Sequence, residues 1–390
     1  MGVRYAVLGA GRQGTAAAFD LARVGGAEVV WLTDAAAGRA EAAAERVNRL
    51  AGADVARGRA LDVSDERELR RFLSDVDSCV SAVPYFLNLA VARAAVQART
   101  SLCDLGGNTA VVLQELQLHA EAEAAGVSVV PDCGLDPGLS QTLAAHGIAR
   151  LDRAREVRVY CGGLPQKPRP PLGYALSFSM HGLLNEYAGH ADFLRGGRRV
   201  QVPCLTEVEE VDFPPPLGRC EAFVTSGGTS TGPWTYEGKV DVYETKTLRY
   251  PGHCAVFRAL ADVGLLGEEP VTVGKDAVSP RALTARLLEP LLTDVAARDV
   301  VALRVLCRGE RGGRPAEVQF DVLDFHDEAT GFSAMERTTG WHAATVAAMM
   351  AHGEVPRGAL PVERAVDPVR FLARWEHTGV RIDVKERGDS

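Results

Sequence analysis

The segment ETKTLRYPGH, residues 244–253, gathers Lys246, Arg249 and His253 where a β-like run breaks on Pro251-Gly252. Each type suits a different task. The planar fork of an arginine matches a carboxylate with two parallel hydrogen bonds. A lysine is a cation whose pKa burial lowers toward neutrality, and a histidine titrates near neutral pH unaided. Arg249 is therefore the candidate anchor for a substrate carboxylate, with Lys246 and His253 as candidate proton handlers. Lysine is the rarer cation, five among 43 basic residues, which singles out Lys246. A regular strand points residues 246 and 249 to opposite faces, so only a bulge or twist would bring both to one site. The bland readings are chance for the lysine and a structural hydrogen bond for the histidine.

A second chemistry-bearing stretch opens the chain. RYAVLGAGRQGTAAAFDLAR reads as a buried strand, the turn Gly9-x-Gly11-x-x-Gly14 enclosing Arg12 and Gln13, and an Ala-rich helix. In such a turn the glycines allow tight bending, close approach of the backbone to a pyrophosphate, and close helix-to-strand packing. The free N–H groups and dipole at the helix start favour an anion. The next strand, EVVWLTD, ends in Asp34. A carboxylate there accepts from the ribose hydroxyls and repels a 2′-phosphate, so NAD is expected as cofactor rather than NADP. Arg12 and Arg39 lie near enough in sequence to weaken that preference. Asp62-Val63, after a third strand, is placed to cover an adenine, and Ala82, Val83 and Pro84, after a fourth, to line the nicotinamide side.

These sites require elements to position them. Strands near 56–65, 78–84, 100–107 and 126–134 alternate with helical stretches at 66–74, 86–98 and 109–125. That alternation predicts an α/β fold, a doubly wound parallel sheet of Rossmann type with ligands at the carboxyl ends of the strands. The acids at those ends, Asp104, Asp132 and Asp136, are either ligand-facing groups or turn formers. Beyond a helix near 138–150 the pattern changes to β-like runs at 155–163, 199–210, 219–226, 236–250, 299–308 and 316–325, with helices at 180–195, 253–265 and 279–297. This predicts an α+β substrate or dimerisation domain with a mixed or antiparallel sheet. The division is 1–135 for the dinucleotide-binding domain and 136–337 for the second. A helical tail from about 338 to 390 is placed to return to the first. Thr338 and Thr339, read at the start of a tail helix, are candidate donors to the same substrate anion as Arg249, or an ordinary cap.

Composition narrows the function class. The 390 residues are 46% hydrophobic and 24% charged, with net charge −8, which gives no sign of a nucleic-acid surface. No apolar run reaches the ~18 residues of a membrane helix. The eight cysteines include no C-x-x-C pair, and no histidine pair has zinc spacing, so no metal site is expected. Scattered thiols and a chain that opens directly on a strand are expectations of a cytoplasmic protein without a signal peptide.

The motifs LGAGRQG, DLGGN, PDCGLDPGLS, CGGLPQKPRPPLGY, TSGGTST, ETKTLRYPGH and TTGWHAATVAAMMAHGEV together resemble the saccharopine dehydrogenase (reductase) superfamily, most of all its NAD-dependent L-lysine 6-dehydrogenase branch, from residue 3 to about 380. The resemblance implies a Rossmann domain completed by the C-terminal tail, an α/β substrate domain, oxidation or formation of a C–N bond on an amino acid, and a homodimer through the second sheet. It implies Arg249 as the substrate-binding arginine. Asp136, in GLDPG, is instead similar to the saccharopine-forming branch, since the lysine dehydrogenases tend to carry alanine there. Oxidative deamination needs a neutral amine before hydride leaves and a base to activate water afterwards; Asp136, Lys246 and His253 are the candidates, with Asp104 beside the substrate. The expected activity is NAD-dependent deamination of the lysine ε-amine to the 6-semialdehyde. The alternatives are a saccharopine or carboxynorspermidine-type reductase, and a non-catalytic NAD(H)-binding protein.

Overall fold

The computed structural model of the chain describes residues 2–294 and 297–388. Strands are numbered along the chain. The first six are β1 Val3–Leu8, β2 Ala27–Asp34, β3 Ala56–Ala60, β4 Ser78–Ser81, β5 Ser101–Asp104 and β6 Ser128–Val130. They lie parallel in the order β6-β5-β4-β1-β2-β3. The central strands β1, β4 and β5 are short and almost wholly buried, as a sheet covered on both faces requires. Strand order reverses between β1 and β4, and the crevice at their carboxyl ends is where such sheets bind ligands.

The second domain contributes β7 Arg153–Pro165, β8 His190–Arg195, β9 Arg198–Pro203, β10 Glu209–Asp212, β11 Arg219–Val224, β12 Val242–Arg249, the separate hairpin β13 Val271–Val273 and β14 Asp276–Val278, and the long pair β15 Asp299–Arg311 and β16 Arg314–Phe325. Its sheet is mixed: β12 runs parallel to β7, while β11, β15 and β16 pair antiparallel.

The chain then returns to both sheets. Helix Ala334–Ala351 crosses helix Arg12–Val24 at Gly340, where an added Cβ would lie 2.7 Å from Gln13 O and 2.9 Å from Ala16 Cβ. Its carbonyls also accept from Ser78 Oγ of β4 and Cys103 Sγ of β5, which seats it on the first sheet. Strand β17, Gly358–Ala359, pairs with β6. The last strand, β18 Ile382–Gly388, pairs with β16 instead, so the tail expected to complete the first domain ends in the second.

Other expectations differ in local detail. The helix expected over 180–195 is a short helix, Met180–Glu186, followed by β8. Gly189 at φ +74° turns the chain, and Ala191 and Phe193 then bury on one face with period two. The single run 199–210 splits after Pro203, where Leu205 and Glu207 take positive φ. The helix expected over 109–125 divides into Thr109–Leu116 and His119–Ala125. The helix over 279–297 ends at Leu292, and positions 295–296 lie outside the described residues. The tail helix begins at Ala334 rather than 339: Ser333 Oγ accepts from Glu336 N and Glu336 Oε2 accepts from Ser333 N, a reciprocal cap.

Because Gly340 sets the closest approach of its helix to the first domain, Gly340→Val is expected to lower the unfolding free energy by roughly 1–3 kcal/mol through overpacking. Urea unfolding measures this; an unchanged midpoint would show that the two helices separate without cost.

Candidate functional site

The cofactor end is built by the turn after β1. Gly9 sits at φ +97°, and a Cβ there would come 2.6 Å from Ala82 O. Gly14 is as constrained, its added Cβ lying 2.0 Å from Gly9 O. Gly11 differs: a Cβ would meet nothing within 4 Å, so its backbone faces open space at the start of the helix. Nearby, Gln13 Oε1 is buried without a hydrogen-bond partner among the described residues. Asp34 closes β2 and accepts from Ala10 N at 3.3 Å and Ala36 N at 3.0 Å. The open cradle at Gly11, the orphaned amide oxygen and the carboxylate at the end of β2 fit a dinucleotide.

Other residues expected there are placed less simply. Arg12 is tied to Glu336 at 2.8 Å, linking the turn to the tail helix. Arg39 approaches Asp34 to 3.4 Å, so the ribose end presents both an acid and a cation. Asp62 accepts from Ser64 N and Oγ as a turn former, which lowers its pKa, and Val63 is buried in the core instead of exposed toward a base. Ala82 N donates to Leu8 O at 2.7 Å, which holds Ala82, Val83 and Pro84 beside the turn.

The expected substrate anchor, Arg249, has a side chain that is 3% exposed. Its Nε donates to Tyr187 Oη at 2.9 Å, Nη1 donates to Leu248 O at 2.8 Å, and Nη2 lies 3.5 Å from Glu186 Oε2. The guanidinium also stacks over Tyr174, 4.6 Å from its ring centroid. Tyr187 Oη is 2.9 Å from His253 Nε2, and His253 Nδ1 is 3.0 Å from Leu172 O. Since Tyr187 accepts from arginine, its own proton goes to Nε2, and Nδ1–H donates to the carbonyl. Burial, and then Arg249, push the pKa of His253 down to about 3. Both ring nitrogens are engaged and the ring is neutral, so His253 orients Tyr187 and is not the expected proton relay.

The strand periodicity also overturns Lys246. It lies on the opposite face of β12 from Arg249, its ammonium 2.8 Å from Glu209 Oε1 and 2.9 Å from Glu207 O. No bulge interrupts the β12–β7 register around it, so it does not reach the Arg249 site. Asp104 is likewise removed from direct substrate contact: it is wholly buried and accepts from Gly106 N at 2.6 Å and Asp132 N at 3.3 Å. Burial raises its pKa and that of Glu115, which the neighbouring Asp104 and Asp132 raise further, so Glu115 holds its proton. Thr338 and Thr339 lie in the second helical turn, where Thr338 Oγ1 donates to Ala334 O and Thr339 Oγ1 meets Met335 Sδ; neither caps the helix.

Asp136 is half-buried. Its Oδ1 accepts from Ser140 Oγ at 2.6 Å. A Cβ on Gly228 of TSGGTST would come 2.7 Å from Thr245 Cγ2 and 3.3 Å from Asp136 Oδ2, so the glycine lets this loop close over the acid. Gln141 Nε2 donates to Gly228 O at 2.7 Å and fixes the same loop. Burial, against the Ser140 hydrogen bond and helped by the charge of Glu186, raises the Asp136 pKa to about 7. Glu186 is itself raised to about 7 by burial, against the pull of Arg249. Across the domain boundary Ser230 donates to Asp132, both at positive φ.

The sequence reading missed Tyr174, Glu186, Tyr187 and Ser140. Tyr174 and Ser140 lie inside CGGLPQKPRPPLGY and PDCGLDPGLS, and carried a signal there. Glu186 and Tyr187 were hidden by the helix expected over 180–195, which made them ordinary helical positions.

Residues 5–130 match the family model for the saccharopine dehydrogenase NADP binding domain, and residues 134–380 match that for the saccharopine dehydrogenase C-terminal domain. The chain belongs to the saccharopine dehydrogenase family. It is 28% identical over 243 residues to a saccharopine dehydrogenase [NADP(+), L-glutamate-forming] of Schizosaccharomyces pombe, covering 59% of this chain and 53% of that one. The chain thus spans about half the length of that relative. It is 23% identical over 353 residues to the carboxynorspermidine synthase of Vibrio cholerae, covering 84% of this chain and 82% of that one. The fold matches apo saccharopine dehydrogenase (L-Glu forming) from Saccharomyces cerevisiae over the whole of both chains, with TM-score 0.78 at 20% identity. Among the described residues no helix is long and apolar enough to cross a membrane, and no group of three or more His, Cys, Asp or Glu side chains could hold a metal ion.

Since Tyr187 Oη takes up the buried Nε–H of Arg249, Tyr187→Phe is expected to cost about 1.5–3 kcal/mol, the range for hydrogen bonds to charged groups. Urea unfolding reads this directly. An unchanged midpoint would mean that the arginine finds another acceptor.

Proposed function

We propose that this chain is a nicotinamide-dependent oxidoreductase that deaminates the ε-carbon of L-lysine to the 6-semialdehyde with release of ammonia. The observation that carries the reading is the charge content around Arg249: the buried guanidinium lies 3.5 Å from Glu186, and Asp136, near enough to Glu186 to feel its charge, is a second acid, both with raised pKa. A substrate with one carboxylate and an amine complements that arrangement. A tricarboxylate such as saccharopine would need further cations, and the nearby Lys246 is turned to the other face and paired with Glu209.

In this reading Arg249 binds the α-carboxylate through its fork, and Tyr187, held by His253, keeps the fork in place. The Gly9–Gly14 turn and Asp34 hold the dinucleotide, and we propose NAD because Asp34 stands at the end of β2; Arg39 beside it, and the NADP(+) in the fungal relatives' names, argue the other way. The bound nicotinamide supplies a two-electron hydride acceptor. Asp136 takes the proton from the ε-ammonium, so that a neutral amine is present when hydride leaves the adjacent carbon. That proton passes to solvent, and the regenerated carboxylate then removes a proton from the water that adds to the imine and returns it to the nitrogen, which departs as ammonia. The balance is one amine, one water and one oxidised cofactor converted to aldehyde, ammonia, reduced cofactor and a proton.

A second reading, formation or oxidation of a secondary amine, is favoured by Asp136 in GLDPG and by the likeness to carboxynorspermidine synthase across most of both chains. Absorbance of the reduced nicotinamide separates the two. With oxidised cofactor, growth on L-lysine with ammonia release supports deamination; growth on saccharopine alone supports the second reading. Cofactor binding with no turnover on either would leave a non-catalytic binding protein.

If L-lysine is turned over, Arg249→Ala is expected to raise KM at least about tenfold, since truncating a buried charge partner costs ~2 kcal/mol or more. Asp136→Asn is expected to lower kcat by about 10²–10⁴, the usual contribution of a positioned base. Activity of the unmodified protein should rise as pH passes upward through about 7, where Asp136 loses its proton. A flat profile that persists in the variant would assign the proton transfer elsewhere. Asp34→Ala should shift the ratio of dissociation constants toward NADP; an unchanged ratio removes Asp34 from cofactor selection.

A further inference from the structure

Arg249 already has an acidic partner before any substrate arrives. Glu186 Oε2 lies 3.5 Å from Nη2, and the Glu186 side chain is 32% exposed while that of Arg249 is 3% exposed. The glutamate thus reaches the guanidinium from the open side, the side from which a substrate carboxylate must come. Two carboxylates on one guanidinium leave net negative charge where water is scarce, which is unfavourable in a low dielectric. The other titratable groups facing Glu186 offer no relief. They are Asp136 from the loop after β6, Cys161 of β7, Tyr174, the neighbouring Tyr187, and Cys204 beyond β9; none is a cation.

We propose that Glu186 is a displaceable counter-ion: it neutralises Arg249 in the free protein and takes up a proton when a substrate carboxylate replaces it. This rests on the reading of Arg249 as the carboxylate anchor, and it adds a residue that sets the pH dependence of binding. The sign follows from the acid's raised pKa of about 7 in the free protein. Above that pH Glu186 starts ionised, so binding consumes a proton and affinity falls by up to about tenfold per pH unit. Below it the proton is already present and affinity is level.

The test is calorimetric titration of the full chain with L-lysine, with NADH present to prevent turnover, in phosphate and in Tris at pH 8. The buffer dependence of the heat gives the protons exchanged. The expected result is uptake of about one proton in the unmodified protein, little or none in Glu186→Gln, and continued uptake in Asp136→Asn. Uptake that survives Glu186→Gln, or that vanishes in Asp136→Asn, overturns the proposal while leaving the anchor intact. Arg249→Ala distinguishes the two failures: lysine binding that is indifferent to this change overturns the anchor reading, and the counter-ion role with it.

Discussion

The constraint on which the second domain depends is a guanidinium taken out of water. Moving such a cation into the interior costs several kcal/mol unless its donors are satisfied and its charge is opposed. Arg249 meets both requirements through unrelated segments: Leu248 O from its own strand, Tyr187 and Glu186 from the end of a short helix, and the ring of Tyr174 from a Pro-rich loop. His253, one turn beyond the strand, fixes Tyr187 by accepting a hydrogen bond from its hydroxyl. The rigid loop and the broken helix, which look incidental in the sequence, are thus held to one geometry by a single charge.

The domains are bound together in the same manner, by polar groups buried where they meet. Ser230 donates to Asp132, and Thr231 and Thr235 donate to Glu363 of the tail, so TSGGTST is clamped between the first domain and the returning chain. Asp132 Oδ1 leaves no room for a side chain at position 106: a Cβ on Gly106 would fall 1.8 Å away. The cleft between the cofactor turn and Arg249 is therefore set by contacts from three separated stretches of sequence. Weakening any one loosens a geometry that catalysis needs to within fractions of an ångström.

What could be read from the sequence divides along physical lines. The parallel sheet was legible because strand and helix periods alternate cleanly, and the glycine turn because each glycine answers a steric demand visible in the motif. Arg249 stood out because only one residue type grips a carboxylate with a fork, and the structure buries it among Tyr187, Leu248 O and Glu186. The opposite facing of Lys246 followed from the two-residue period of a strand. The errors share a different cause. Whether Asp104, His253, Thr338 or Thr339 can act on a ligand depends on whether their polar atoms are already taken by neighbouring backbone or side-chain groups, and sequence does not show that. The tail helix starts at Ala334, five residues before the expected 339, because the Ser333–Glu336 capping box opens it there. Strand β18 escaped notice because, as an edge strand with mostly exposed residues, it lacks an apolar alternation.

The same accounting indicates where proton transfer belongs. A proton handler must reach the cleft and change charge within the working pH range. Lys246 fails the first condition, since it is held on the wrong face by Glu209 and the Glu207 carbonyl. His253 fails the second, neutral at any ordinary pH with both nitrogens engaged. Glu115 is kept protonated by burial and by its acidic neighbours, and it is wholly buried. Asp136 and Glu186 satisfy both conditions, and they differ in one respect: Glu186 is already committed to Arg249, whereas Asp136 carries only the Ser140 hydroxyl and keeps its second oxygen free of such a charge. An acid bound to the anchor follows the substrate carboxylate; an acid without a cationic partner is available to the amine. In the proposed reading, that difference puts the two carboxyls at opposite ends of one substrate.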